Sequence, residues 1–137
     1  MKIKTAEATG LQLDWGVAKA LELKPSIGHN SLSAFVRYKK AGCDFFRAVK
    51  HTDPDLCVWL IEQYSLAFSE CDTSHLYGKP DTLWRVVCRN GSGYGESKLL
   101  VKAVARCVIA MRLGDEFECP SELGVWFDEL TNTERNA

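Results

Sequence analysis

Three histidines, six cysteines and one glycine-rich stretch followed by cations are the residues of this chain whose types could do chemistry. His29, His51 and His75 stand more than 20 residues apart, and all fall in segments that read as loops. An acid/base or metal role would need them to converge in space, which their spacing does not require. The cysteines, at 43, 57, 71, 88, 107 and 119, contain no CxxC pair of the kind a zinc site uses. Several lie inside apolar runs such as Val86-Val87-Cys88 and Cys107-Val108-Ile109. They read as free thiols packed as small hydrophobes in a reducing cytoplasm. Cys43 or Cys57 could use His51 as a base, but a core thiol is the simpler reading. Asp53, Asp55 and Glu62 could hold a cation or form an acid/base pair. A helix start at Asp53-Pro54-Asp55 explains the two aspartates more simply. No catalytic constellation emerges, and no metal or cofactor is expected.

The glycine-rich stretch Asn90-Gly91-Ser92-Gly93-Tyr94-Gly95 sits between an expected strand and an expected helix. Backbone N–H groups at a helix start bind anions. The stretch lacks the Lys-Ser/Thr of a nucleotide-triphosphate loop and the spacing of a dinucleotide fingerprint. A simple strand-to-helix connection is the plainer reading. Even so, Lys98, Lys102 and Arg106 follow at i, i+4 and i+8, in a row about 6 Å apart per step on a helix. Tyr94 could stack on a base. Tyr94, Lys98, Lys102, Arg106 and, further away, Trp59 are therefore the candidate ligand-binding residues for a nucleotide-like small molecule. The alternative is a solvated basic stripe paired with acidic residues from 114–129.

Charge is unevenly placed. Residues 1–113 carry 16 Lys/Arg against 11 Asp/Glu, and residues 114–137 carry one Arg against seven acids. An acidic end could fold over the basic body, or Asp115, Glu116 and Glu118 could face a partner. Lys39-Lys40 and Arg47–Lys50 flank a hairpin rich in Phe and Tyr, an interleaving that could bind nucleic acid. The small basic excess makes that the weaker alternative.

The elements that would position these residues follow from periodicity. A helix is expected over 9–23, capped by Thr9 and ending before Pro25. Residues 26–31 read as a loop and 33–49 as a hairpin. Residues 56–64 fit either a helix or a strand. A strand is expected at 66–69, a polar loop over 70–81 and the best strand at 82–89. Residues 97–113 are apolar around most of the axis, which marks a core helix packed on a sheet, with Gly114 at its end. A short strand is expected at 117–119, a final amphipathic segment carries Trp126 and Phe127, and 131–137 read as a frayed tail. The expected fold is α+β: a small, mostly antiparallel sheet from 33–49, 66–69 and 82–89, packed on the long C-terminal helix with an N-terminal helix beside it. The length fits one domain over 1–130. No apolar run reaches membrane-span length and no signal peptide is expected. Four tryptophans without a catalytic signature suggest an interface, and pairing into a homodimer is one expectation.

Two stretches carry a family resemblance. Lys2-Ile3-Lys4-Thr5, then Thr9-Gly10-Leu11-Gln12-Leu13-Asp14-Trp15 to Ala18-Lys19-Ala20, resembles the opening of the NinX-like family of small phage proteins. Tyr94-Gly95-Glu96-Ser97, then Ala103, Ala105-Arg106-Cys107-Val108 and Leu113-Gly114-Asp115-Glu116-Phe117-Glu118-Cys119-Pro120, is similar to that family's C-terminal helix and acidic exit. The middle departs from the pattern. The family's Ser/Thr-Asp-Trp segment with paired glycines is replaced by His51-Thr52-Asp53-Pro54-Asp55-Leu56-Cys57-Val58-Trp59. The resemblance implies an accessory protein of a temperate phage acting in the cytoplasm of the infected bacterium. It implies no reaction. The expectation is a non-enzymatic protein that binds and inactivates a host factor, such as a component of anti-phage defence. A binder of a nucleotide-derived signal and a nucleic-acid-binding module are the alternatives.

Overall fold

The computed structural model describes residues 1–72 and 82–123. The first three residues of the expected polar loop, Glu70 to Asp72, are strand instead, and its remainder, with His75, lies outside the described residues, as do Trp126, Phe127 and the tail. The fold is α+β, with eight strands among the described residues arranged in three antiparallel sheets.

Strand β1 (Lys2–Lys4) pairs with β8 (Glu116–Glu118), so the two ends of the described fold meet. A short 3₁₀ turn, Thr5–Glu7, leads to helix α1 (Leu11–Ala20). The expected Thr9 cap is not formed. Gly10 occupies the cap position with φ 56°, and the Thr9 hydroxyl is covered with no partner among the described residues. The helix also stops well short of Pro25. Glu22 and Lys24 take left-handed backbone at φ 60° and 53°, which turns the chain into the next element.

That element is a strand where a loop was expected. Strands β2 (Ser26–His29), β3 (Ala34–Lys39) and β4 (Phe46–Ala48) form one sheet with β3 in the middle. Ile27 opposite Val36 packs this sheet against the core. With β2 on one side of β3 and β4 on the other, this sheet is separate from the later strands, in place of the single sheet expected from the sequence.

Residues 54–64 resolve as helix α2 (Pro54–Tyr64). The Asp53 carboxylate accepts from the Asp55 N–H at 3.0 Å, with proline in the first turn, and Ser65 closes the helix in left-handed backbone. The third sheet follows: β5 (Leu66–Asp72), β6 (Thr82–Cys88) and β7 (Tyr94–Ser97). Helix α3 (Leu100–Leu113) packs across it and also meets α1 and α2. Val104, Cys107, Val108 and Ile109 are fully buried, as an all-round apolar helix requires. Gly114 (φ 95°) ends it, its N–H donating to the Ala110 carbonyl.

The glycine-rich stretch is not a phosphate loop. A turn closed by the Gly91 N–H donating to the Cys88 carbonyl leads on to β7, and the helix begins only at Leu100. Its glycines serve close packing instead. A methyl group on Gly95 would run into the Ala103 carbonyl oxygen and lie 2.5 Å from the Cys107 nitrogen. One on Gly93 would lie 2.6 Å from the Cys107 carbonyl oxygen. Strand β7 therefore rests directly on the α3 backbone.

Candidate functional site

Two concave regions hold the residues singled out from the sequence. The first is an open groove of about 1250 Å³ between β7, the start of α3 and the N-terminal segment. It collects Tyr94, Lys98, Lys102 and Arg106, and also Asp115 and Glu116. Four of the five candidate ligand residues are thus brought together beside the start of α3, although β7 separates the glycine-rich stretch from that helix. Glu118 faces the other end of the β1–β8 pair.

The cations of this groove are not a solvated stripe. Lys98 precedes α3 and is exposed, whereas Lys102 is buried. Arg106 is a clamp: its Nε and Nη2 donate to the Ala8 carbonyl at 3.1 and 2.9 Å, and its Nη1 donates to the Glu96 carbonyl at 2.8 Å. This one side chain ties α3 to β7 and to the approach of α1. The Tyr94 hydroxyl donates to the Glu96 carboxylate at 2.5 Å, and Arg85 Nε lies 3.8 Å from the same carboxylate. Among the described residues, Glu7, Glu96, Asp115 and Glu116 share the groove with Lys4, Lys98, Lys102 and Arg106, so the charges lining it are balanced.

The acidic exit is largely used within the fold. Glu116 lies 3.9 Å from Lys2, and Glu118 lies 3.3 Å from the N-terminal ammonium. The Asp115 carbonyl accepts from the Thr5 N–H at 2.8 Å. These contacts follow from the β1–β8 pairing of lysines against glutamates, which stitches the termini together. All three carboxylates remain exposed.

The second region is a groove of about 540 Å³ beside α2. Trp59 is 46% exposed at its edge and meets Tyr64 edge-on, with ring centroids 6.4 Å apart. Tyr38, Leu23 and Leu56 line the groove, and Arg112 stands at its lip. Arg112 is held there by the Ala20 carbonyl at 3.3 Å and by Glu22 at 3.5 Å. Val58 beside Trp59 is 54% exposed. Helical spacing from the Asp53 cap turns Trp59 outward while Cys57 and Leu60 point into the core.

The histidine and cysteine readings resolve differently. His51 bonds neither Cys43 nor Cys57. It is buried and pairs with Asp14 of α1: its Nδ1 lies 2.6 Å from the carboxylate, and its backbone N–H donates to the same oxygen at 2.7 Å. Asp14 was missed because its partner lies 37 residues away. The only hint was an acid on the apolar side of an amphipathic helix. Cys57, Cys88, Cys107 and Cys119 are buried free thiols. Burial pushes the Cys57 thiol up and the Cys107 and Cys119 thiols up to about 11, the opposite of nucleophile activation. Asp53 is occupied as a helix cap. Among the described residues, no group of three or more His, Cys, Asp or Glu could hold a metal ion, and no helix is long and apolar enough to cross a membrane.

Compared with known proteins, the chain matches no family and no curated protein.

Proposed function

We propose that this chain is a non-enzymatic accessory protein that binds and inactivates a host protein through the Trp59 groove. The carrying observation is that groove itself. A half-exposed tryptophan, two tyrosines and an arginine surround a concave surface that mixes Leu21, Leu23 and Leu56 with Glu22, Lys50 and Asp53. Trp, Tyr and Arg in a partly enclosed pocket are the composition of binding hot spots. Meanwhile His51, Asp14, Arg106 and the buried thiols are committed to internal bonds or packing. The phage origin, the cytoplasm of the infected bacterium as the place of action, and a defence component as the class of target rest on the NinX-like resemblance of the two ends. The test is capture of a partner by tagged protein from nuclease-treated lysate of infected cells, run beside Trp59→Ala. One stoichiometric partner retained by the parent and lost by a fully folded variant supports the reading. Equal retention by both opposes it.

A second reading is favoured by the convergence of Tyr94, Lys98, Lys102 and Arg106 on the larger groove: sequestration of a nucleotide-derived signal. Its balanced charge suits a small zwitterionic or mixed-polarity ligand better than a polyphosphate. Heat-denaturing the purified protein and finding an ultraviolet-absorbing ligand in the supernatant supports it. A clean supernatant with no thermal shift across a nucleotide panel removes it.

A further inference from the structure

The β2–β3–β4 sheet turns Ile27, Ala34, Val36 and Tyr38 toward the core. By strand alternation and register, its other face carries Gly28, Phe35, Arg37, Lys39 and Phe46. Phe35 lies across Gly28, where an added Cβ would meet the ring at 2.5 Å and the Arg37 stem at 2.9 Å. The Arg37 guanidinium stands 3.9 Å from the centroid of the Phe46 ring. Its Nε is covered and meets no acceptor among the described residues. Phe46 is 47% exposed, and Lys39 and Lys40 continue the row into the turn. Charge singles out the same unit. Residues 24–50 hold six Lys/Arg and one acid, Asp44, whereas the rest of 1–113 holds ten of each. Within the sheet and its turns, 26–48, Arg37, Lys39, Lys40 and Arg47 stand against Asp44 alone, so most of the basic excess of the body sits here.

From this we infer that the outer face of the β2–β3–β4 sheet binds single-stranded nucleic acid, independently of the Trp59 groove. Unstacked bases offer flat faces to Phe35, Phe46 and the Arg37 plane, and the phosphates run toward Lys39 and Lys40. A duplex keeps its base faces stacked inside and cannot use these rings. Stacking is tolerant of sequence, so little base preference is expected.

The test is fluorescence anisotropy of the full chain with labelled oligouridylate, oligothymidylate and a duplex of equal length, at several salt concentrations. Binding of a single strand should weaken linearly in log–log with salt, by about 0.7 per phosphate contact. Phe46→Ala should weaken it about tenfold and Phe46→Tyr by less than about twofold, both with the parent's melting temperature. Lys39→Ala should flatten the salt slope by roughly 0.7. The RNA and DNA arms tell which sugar is preferred. No single-strand binding at low salt, duplex binding of equal strength, or identical binding by Phe46→Ala would each overturn the inference. Retention on an acidic protein or anionic vesicles with no oligonucleotide binding would overturn it as well.

Discussion

The imidazole of His51 and the carboxylate of Asp14 meet 2.6 Å apart in the interior, and the same carboxylate oxygen takes the His51 backbone N–H. One acid thus fixes both the ring and the main chain at the point where β4 hands over to α2. Asp14→Ala would leave a buried N–H and ring nitrogen without an acceptor, at a cost of about 3 kcal/mol. Asp14→Asn keeps a carbonyl oxygen for the backbone N–H and should cost less. Urea unfolding of both variants checks this; equal, sub-kilocalorie losses would show that the pair contributes little.

Arg106 makes three hydrogen bonds to two backbone carbonyls, so its truncation should destabilise by about 2–3 kcal/mol. A residue on a solvated stripe would instead change stability by no more than about 0.5 kcal/mol. Thermal melts of Arg106→Ala beside the parent separate the clamp from a surface stripe. A shift near zero would return Arg106 to the solvated reading.

Gly95→Ala should be among the most damaging small substitutions in the chain. The added methyl meets backbone atoms of α3, which cannot rotate away. A loss above about 3 kcal/mol is expected, whereas Gly91→Ala meets nothing within 4 Å and is opposed only by its φ of 77°. Circular dichroism melts of the two variants should rank them in that order.

The thiols give a pH dependence. Burial raises Cys107 and Cys119 from 9.0 to about 11 in the folded chain, so the unfolded chain ionises first. Their contribution is complete below pH 9 and is lost as pH rises toward 11, up to roughly 3 kcal/mol for each. The urea midpoint should fall over that window, and Cys107→Ala with Cys119→Ala should flatten the fall. An unchanged slope in the double variant would contradict the assignment.

Periodicity made α1, α3 and β6 legible, because each carries a long regular pattern whose burial the fold then uses. The Asp53-Pro54-Asp55 start was equally plain, although Leu56–Tyr64 remained open until packing chose the helix. Strand β2 was missed because Gly28, His29 and Asn30 look like turn residues. The core contact of Ile27 opposite Val36 and the Phe35 ring across Gly28 hold the strand, and neither is visible in the local sequence. The site was legible in its members more than in their roles. Trp59 does stand at a surface groove, and Tyr94, Lys98, Lys102 and Arg106 do converge. Yet Arg106 is spent on carbonyls, and Lys102 is buried. Such bonds depend on Ala8 and Glu96, residues that sequence spacing does not connect to Arg106.

Calorimetric titration of the captured host protein with the parent chain, Trp59→Phe and Trp59→Ala tests the binding role most directly. A buried tryptophan anchor predicts that Trp59→Ala weakens the complex about 30-fold or more, that Trp59→Phe falls between, and that all three chains melt alike. Equal affinity for the three would contradict binding through this groove.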